Sequence, residues 1–344
     1  MIRSLSFKVE APQPYHTFGY HQKKAFKEGY MGSEPDPKIL SKIIQHSLDG
    51  LIALFEIPAG FDLILLQDKK LLLKTLANVG SGTITVAGST EFADNIRFYN
   101  NKVTFLDDHT NDLSSGDVGE KPLIIQDIDP VTGQKALLNN RIENLDYSAL
   151  PFTHLDISCS SPTDPLDFEK IQSFSFSTRY GFGMSQDLVV WILKSDLFDM
   201  LVKQLNGMYM EFDPGFSKTK KCFVQDNVEI DRIYILGMIV QDFFNRGLTM
   251  IRNEIKYKSI ILYNSINDNP NLKPLINDPK TRSLNIICAK TEIANERILN
   301  FMSENRIEFD VLARPDTSSI IRIANYPVHS KEQMEYLADH IVKL

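Results

Sequence analysis

Polar residues that follow two apolar segments are the candidates for chemistry in this sequence. Asp156 ends one short apolar run, and a β-rich run over residues 172–178 is followed by Arg179 and Tyr180. In open α/β sheets, ligands bind outside the carboxyl ends of the strands. The pattern therefore predicts a pocket that contains the Asp156 carboxylate and the Arg179–Tyr180 pair.

The segments around these residues alternate between strands and helices. Strands are predicted over residues 61–67, 83–87, 103–106, 123–126 and 188–193, and helices over residues 69–78 and 92–99. Residues 188–193 are apolar throughout, which is typical of a strand that is covered on both faces. The alternation favours a doubly wound, mostly parallel sheet.

The rest of the chain predicts further helices and a second unit. A polar segment over residues 213–226 precedes two predicted helices, and the later strands and helices from residue 284 onward indicate an α+β unit. A proline-rich stretch, 269–279, is the predicted linker or edge of that unit. We predict an N-terminal arm that joins the small domain (residues 1–20), a large domain (residues 21–255) and a small C-terminal α+β domain (residues 256–344).

Composition argues against several classes of function. The net charge is −7 with no basic stripe, which argues against nucleic-acid binding. The three cysteines are far apart and lack metal-ligand spacing, so a reduced compartment is expected. The sequence has no run of eighteen apolar residues and no apolar signal segment, which predicts a cytoplasmic protein without a membrane partner. The acidic stretch 107–121 is predicted to be a surface loop.

Five segments, in a consistent order and spacing, carry a resemblance to a known family. They are Ile57-Pro58-Ala59-Gly60-Phe61, Asn139-Asn140, the stretch from His154 to Asp167, Ile233-Tyr234-Ile235-Leu236-Gly237 with the residues that follow it, and Arg322-Ile323-Ala324-Asn325-Tyr326-Pro327. Together they resemble the class V aminotransferases of the phosphoserine aminotransferase type. The resemblance spans nearly the whole chain. It implies fold type I, pyridoxal phosphate as cofactor, and a homodimer whose sites are built across two subunits.

The resemblance assigns roles to individual residues. Asp156 matches the aspartate that pairs with the pyridine nitrogen of the cofactor and keeps the ring protonated. Ser158 matches a small polar residue beside the ring. Arg322 matches the arginine that clamps the substrate carboxylate, which the planar guanidinium suits. Arg141 stands where the family has a threonine, and it is a further pocket candidate.

The position of the Schiff-base lysine departs from the family. Counted without a gap from Asp156, that position is Tyr180, and a phenol cannot form an imine with an aldehyde. Arg179 stands where the family has a glutamine. The phosphate-binding turn is replaced by residues 68–70, and no aromatic residue is expected to stack on the ring, since residues 89–91 are Ser, Thr and Glu. Ordinary transamination is therefore predicted to be impaired or lost.

Three functional hypotheses remain open from the sequence. The chain is an active aminotransferase of phosphoserine or amino-acid metabolism that uses a displaced lysine, such as Lys69 or Lys70. Alternatively, it is a pseudoenzyme that acts as a binding or regulatory subunit. The third hypothesis is a different reaction in the same pocket, with Tyr180 as the acid–base group and Arg179 as the anion clamp.

Overall fold

The fold is described by a computed structural model of the 344-residue chain. The described residues are 4–31, 36–67, 69–79, 82–106, 121–135, 150–185, 187–204, 222–224, 228–313 and 318–344. Arg141, the stretch 107–120 and the predicted phosphate-turn residue Asp68 lie outside this part of the chain.

The larger sheet of the described chain has eight strands, mostly parallel, in the order β4-β3-β5-β6-β7-β8-β2-β9. The strands are β2 (Phe61–Leu66), β3 (Ile84–Ala87), β4 (Val103–Leu106), β5 (Leu123–Gln126), β6 (Thr153–Asp156), β7 (Ser173–Ser177), β8 (Val189–Lys194) and β9 (Cys222–Val224). Only β8 runs antiparallel to its neighbours, β7 and β2. Because β2 follows the direction of β6 and β7, its carboxyl end lies at the same edge of the sheet as theirs.

Helices cover both faces of this sheet. They are α1 (Phe18–Lys27), α2 (Pro37–Phe55), α3 (Lys69–Ala77), α4 (Thr90–Arg97), α5 (Ser195–Gln204) and α6 (Ile230–Arg246). Residues of α2 and α6, such as Leu51 and Ile239, pack in one core layer, and residues of α3, α4 and α5, such as Leu76 and Phe198, pack in the other. The strand that was predicted to be covered on both faces, β8, is buried in this way. The predicted doubly wound fold is confirmed.

A smaller antiparallel sheet, in the order β10-β11-β14-β13, follows in the sequence. Its strands are β10 (Leu272–Pro274), β11 (Ile286–Thr291), β13 (Asp310–Ala313) and β14 (Ser319–Ala324), and the accompanying helices are α7 (Leu248–Asp268), α8 (Asn295–Asn305) and α9 (Lys331–Ile341). Residues of α7 and α9, among them Leu262 and Leu337, pack with the apolar side chains of this sheet in a third core. The predicted domain boundary at residues 255/256 falls inside the continuous helix α7.

The N-terminal segment bridges the two sheets. Its short strand β1 (Leu5–Ser6) pairs in parallel with β12 (Ile307–Glu308). Further along, the Phe7 carbonyl accepts a hydrogen bond from the Ala324 amide, and the Tyr15 amide donates to the Gly183 carbonyl. The segment therefore runs from the smaller sheet to the loop that follows β7, and it brings Glu10 over the edge of the larger sheet.

Local sequence patterns misplaced two features. The predicted polar segment 213–226 contains a strand, β9, which pairs in parallel with β2 at the edge of the sheet. The predicted arm ends early, because α1 already begins at Phe18. The pairing of β9 depends on a contact with a distant part of the chain, which local composition does not contain. No helix in the described ranges is long and apolar enough to cross a membrane.

Candidate functional site

Asp156 is the last residue of β6 and lies at the carboxyl edge of the larger sheet. Its neighbours in register are Gln126, the last residue of β5, and Ser175 in β7. The backbone carbonyl of Asp156 accepts a hydrogen bond from the Asp127 amide, and the residue is 3% exposed. Parallel strand pairing thus fixes a buried carboxylate at the edge where ligands bind in this type of sheet.

Both oxygens of this carboxylate bind groups of the chain itself. The Lys69 ammonium, on the first residue of α3, donates to Asp156 Oδ2 over 2.6 Å. The Ser158 amide and hydroxyl donate to Asp156 Oδ1 over 3.0 Å and 2.5 Å. Burial alone raises the pKa of a carboxyl, but the Lys69 charge and the Ser158 hydrogen bonds hold the pKa of Asp156 below its usual value. The site is therefore an ion pair.

Lys69 also lies over an aromatic ring. Its Nζ is 5.5 Å from the centroid of Phe92, a buried residue in the first turn of α4. The sequence prediction that no aromatic residue stacks on a cofactor ring considered residues 89–91, and Phe92, the next residue, lines the cavity. Whether an aromatic side chain stacks on a cofactor stays a prediction. Here the Phe92 ring faces an ammonium group, a favourable cation–π contact.

Tyr180 lies on the turn that follows β7, in the wall of a cavity of about 170 Å³. Burial, together with the nearby Cys159 and Asp156, raises the pKa of the Tyr180 phenol. The phenol therefore holds its proton at neutral pH. It can donate a hydrogen bond, but it is a poor general base.

The turn that carries Tyr180 depends on two glycines. At Gly183 the backbone has φ of 60°, and a Cβ there would lie 2.6 Å from the Tyr15 nitrogen. At Gly181 a Cβ would overlap the backbone carbonyl of Ser161. The turn is thus pressed against the loop after β6 and against the N-terminal segment.

Replacing Gly181 with alanine is expected to lower the free energy of unfolding by about 2 kcal/mol, since the backbone must shift to admit the methyl group. Urea unfolding of the variant measures this loss. Gly19→Ala is the control, because a Cβ at Gly19 meets nothing within 4 Å. Equal stability of the two variants would show that the turn is not closely packed.

The three arginines that the sequence analysis assigns to the site differ in their surroundings. Arg322 is buried in β14, where it donates to the Pro130 carbonyl over 2.9 Å and to the Asp310 carboxylate over 3.3 Å. Glu10 lies 3.8 Å from the same guanidinium. Arg179 is exposed and does not line the cavity beside Tyr180, and Arg141 lies outside the described residues. A role for Arg322 in binding a substrate carboxylate stays a prediction.

The structure brings Asp156, Ser158 and Tyr180 together, and it adds Lys69, which the sequence offered only as a candidate displaced lysine. Its contact with Asp156 was not predicted. The available signal was the position of Lys69 just after β2, a strand whose carboxyl end reaches the same edge. Using that signal requires the strand order, which is not local information.

A large, mostly parallel sheet with a carboxylate at the end of a central strand, followed by a smaller α+β unit, is the fold type I architecture of pyridoxal-phosphate-dependent aminotransferases. The class of fold is therefore the one that the resemblance implied. No protein-family model matches the sequence, and no curated protein matches it.

The chain is similar in fold to solved structures of several aminotransferases. The chain is similar to the phosphoserine aminotransferase of Cytophaga hutchinsonii, with 17% identity, a TM-score of 0.83, and coverage of 100% of this chain and 99% of that one. The pyridoxal-phosphate-bound phosphoserine aminotransferase of Trichomonas vaginalis has 14% identity, a TM-score of 0.74, and coverage of 98% and 99%. The alanine–glyoxylate aminotransferase of Nostoc has 13% identity, a TM-score of 0.76, and coverage of 100% and 95%. At these identities the likeness establishes the fold.

Proposed function

We propose that this protein is a relative of the phosphoserine aminotransferases that does not transaminate and acts as a binding or regulatory subunit. The observation that carries the proposal is the ion pair between Lys69 and Asp156. It places a cation of the chain itself where the resemblance implies the pyridine nitrogen of a cofactor. The Asp156 carboxylate therefore has a positive partner without a bound pyridine ring.

The residues present fit pyridoxal phosphate poorly. When bound in an aminotransferase, the cofactor acts as an electron sink, with its ring nitrogen on a carboxylate and its aldehyde carbon on a lysine. These two atoms lie at opposite ends of the ring. Because the Lys69 ammonium contacts Asp156 directly, one ring cannot use Asp156 for its nitrogen and Lys69, in this position, for its aldehyde. This geometry argues against the hypothesis of a displaced lysine.

The side chain at position 180 supports the same conclusion. A phenol forms no imine, and burial raises the pKa of Tyr180, so the residue is also a poor base. A reaction that uses Tyr180 as an acid remains compatible with the geometry. No described arginine lines the cavity to serve as the anion clamp that the third hypothesis requires.

The quaternary structure and the compartment follow from the resemblance and from composition. We propose a homodimer, as the family's two-subunit site implies, in the cytoplasm. Sedimentation equilibrium measures the mass of the particle in solution and thereby tests the proposed homodimer.

After incubation with excess pyridoxal phosphate and removal of the unbound cofactor, the protein is expected to be colourless, to carry no borohydride-reduced adduct specific to one lysine, and to show no transamination between glutamate and a phosphohydroxy acid. Absorbance spectra, intact-protein mass and a coupled assay measure these three properties. The double variant Lys69→Ala/Tyr180→Lys is the matched comparison, since it frees Asp156 and supplies an amine at position 180. It is expected to gain a visible band that borohydride removes.

A wild-type protein that forms a reducible chromophore at one lysine, and loses a measured transamination when that lysine is replaced, would overturn the proposal. Labelling at several surface lysines without turnover would not, because any exposed amine reacts slowly with an aldehyde. Peptide mapping of the reduced adduct separates these two outcomes.

A further inference from the structure

We propose that the cavity beside Tyr180 binds a small organic cation that also carries a hydroxyl or carbonyl oxygen, such as an amino alcohol. This ligand class rests on the proposed function, since it requires the cavity to be free of pyridoxal phosphate. The cavity has a volume of about 170 Å³. A cavity of about 150 Å³ holds a molecule the size of benzene. The ligand is therefore smaller than the cofactor of the family.

The charge of the cavity wall favours a cation. Glu10 and Glu91 line it and are themselves exposed, so their carboxylates lie towards its opening. Lys69 is the single cation among the described lining residues, and its charge is matched by Asp156. Glu10 is also 3.8 Å from Arg322, whose guanidinium is closer to another carboxylate. The described wall is thus net negative.

Such a wall discriminates between ligands by repulsion as well as by attraction. An amine at the opening gains from the two carboxylates, whereas a phosphate or a dicarboxylate is repelled by them. The substrates implied by the family resemblance, which carry phosphate, are disfavoured for that reason. The charge at the opening therefore points to an amine.

The inner wall presents hydrogen-bond donors without partners. Gln126 is 7% exposed, and its Oε1 accepts hydrogen bonds from the Ser89 amide over 3.0 Å and from the Ser89 hydroxyl over 2.8 Å. These two donors occupy the amide oxygen and leave the NH₂ group as the remaining polar group of a side chain that lines the cavity. Within the described ranges, neither this NH₂ group nor the Tyr180 hydroxyl has a hydrogen-bond partner.

Polar groups without partners in a pocket wall select a ligand that can satisfy them. Both Gln126 and Tyr180 can donate, so the complementary group is an oxygen acceptor. The carbons that link this oxygen to the amine would contact the apolar side chains of Leu73 and Phe92, which also line the cavity. An amine and an oxygen separated by a short carbon chain match these positions.

Ethanolamine, propylamine and O-phosphoethanolamine are the probes for isothermal titration calorimetry with the full-length protein. Ethanolamine is expected to bind, and the phosphorylated analogue to bind about ten-fold more weakly because of the carboxylates. Glu10→Gln and Glu91→Gln are each expected to weaken ethanolamine binding about two- to five-fold, as for exposed ion pairs. Glu169 is exposed and lies outside the cavity, so Glu169→Gln is the control and should leave ethanolamine binding unchanged.

The proposed hydrogen bond from Gln126 to the ligand oxygen has a separate test. Gln126→Leu is expected to weaken ethanolamine binding about five-fold and to leave propylamine binding unchanged, because propylamine has no oxygen to accept the hydrogen bond. A merely structural role of Gln126 would weaken both probes equally. Circular dichroism of the variant checks that it is folded, and Tyr180→Phe repeats the comparison at the second donor.

Tighter binding of O-phosphoethanolamine than of ethanolamine would overturn the inference, as would the absence of amine binding at millimolar concentration by a folded, colourless protein. The latter result leaves the proposed lack of transamination intact. A reducible chromophore with turnover overturns that proposed function instead, so the two failures are distinguishable.

Discussion

Replacing Lys69 with methionine is expected to lower the free energy of unfolding by about 3 kcal/mol. The substitution keeps most of the length of the side chain but leaves the Asp156 carboxylate buried without its cation. Removing one partner of a buried ion pair costs about 3–5 kcal/mol. The lower end applies here, since the Lys69 side chain is 30% exposed and Ser158 still donates to the carboxylate. Urea unfolding followed by circular dichroism measures the change.

The double variant Lys69→Met/Asp156→Asn should recover most of this loss, because no unpaired charge remains. Lys74→Met is the control on the same helix, where the lysine side chain is exposed. If the single Lys69 variant is as stable as this control, the ion pair contributes nothing to folding. In that case Lys69 would be free to leave Asp156, and the case against a displaced lysine would weaken.

The loss of stability in the Lys69→Met variant should also depend on pH. In the wild type, Lys69 holds the pKa of Asp156 below its usual value, so the stabilisation is present above about pH 4 and disappears as the pH falls through the folded-state pKa. In the Lys69→Met variant, burial without a cation raises that pKa, and Asp156 takes up a proton at milder pH. The difference in stability between the two proteins should therefore shrink on acidification.

Much of the larger sheet could be predicted from the sequence. Strands such as β2 and β8 are continuous apolar runs, and a run of this length indicates a strand that is covered on both faces. Asp156 was placed at a strand end for the same reason, since an apolar run that ends on a carboxylate marks its own boundary. The signal at each of these positions is local.

What could not be predicted depends on strand order. Lys69 reaches Asp156 because β2 inserts next to β8, with its carboxyl end at the same edge as that of β6. Glu10 reaches the cavity because β1 pairs with β12, about 300 residues further along the chain. Neither strand pairing can be predicted from the periodicity of apolar residues. The contact between Lys69 and Asp156 could therefore not be predicted before the strand order was known.

Under the proposed function, the ion pair between Lys69 and Asp156 explains how the fold can be stable without pyridoxal phosphate. A buried carboxylate at a strand end requires a positive partner. In the aminotransferases that the sequence resembles, a protonated pyridine ring is expected to be that partner. Here an ammonium on a neighbouring helix supplies the charge, and Phe92 supplies a ring beneath it. The proposed function thus combines a charge-balanced Asp156 with a tyrosine, Tyr180, where the resemblance implies the Schiff-base lysine.

A fully buried lysine in the smaller unit, Lys258, gives the other large expected effect. Lys258, on α7, is fully buried, and its ammonium donates to the carbonyls of Tyr326 and His329 over 3.0 Å and 2.8 Å. Burial lowers its pKa to about 7, which outweighs the nearby Glu254 carboxylate. The folded protein therefore releases this proton near neutral pH, well before the unfolded chain does.

The stability of the wild type is accordingly expected to rise with pH relative to that of Lys258→Met. The unfolded chain keeps the lysine proton until about pH 10.4, so above pH 7 it binds more protons than the folded chain does. Stability then increases by up to about 1.4 kcal/mol per pH unit. Between pH 7 and pH 9 the wild type should gain about 2–3 kcal/mol over the variant, in urea unfolding curves measured at each pH.

Comparison with a variant is essential, because other groups titrate in the same range. The pKa values of buried phenols and thiols such as Tyr326 and Cys159 are raised by burial, and ionisation of these groups in the unfolded chain lowers stability as the pH rises. These contributions cancel in the difference between wild type and Lys258→Met. Lys256→Met, an exposed position on the same helix, is the control and should show no such slope. Parallel curves for wild type and Lys258→Met would mean that Lys258 keeps its proton in the folded state, held by the two carbonyls.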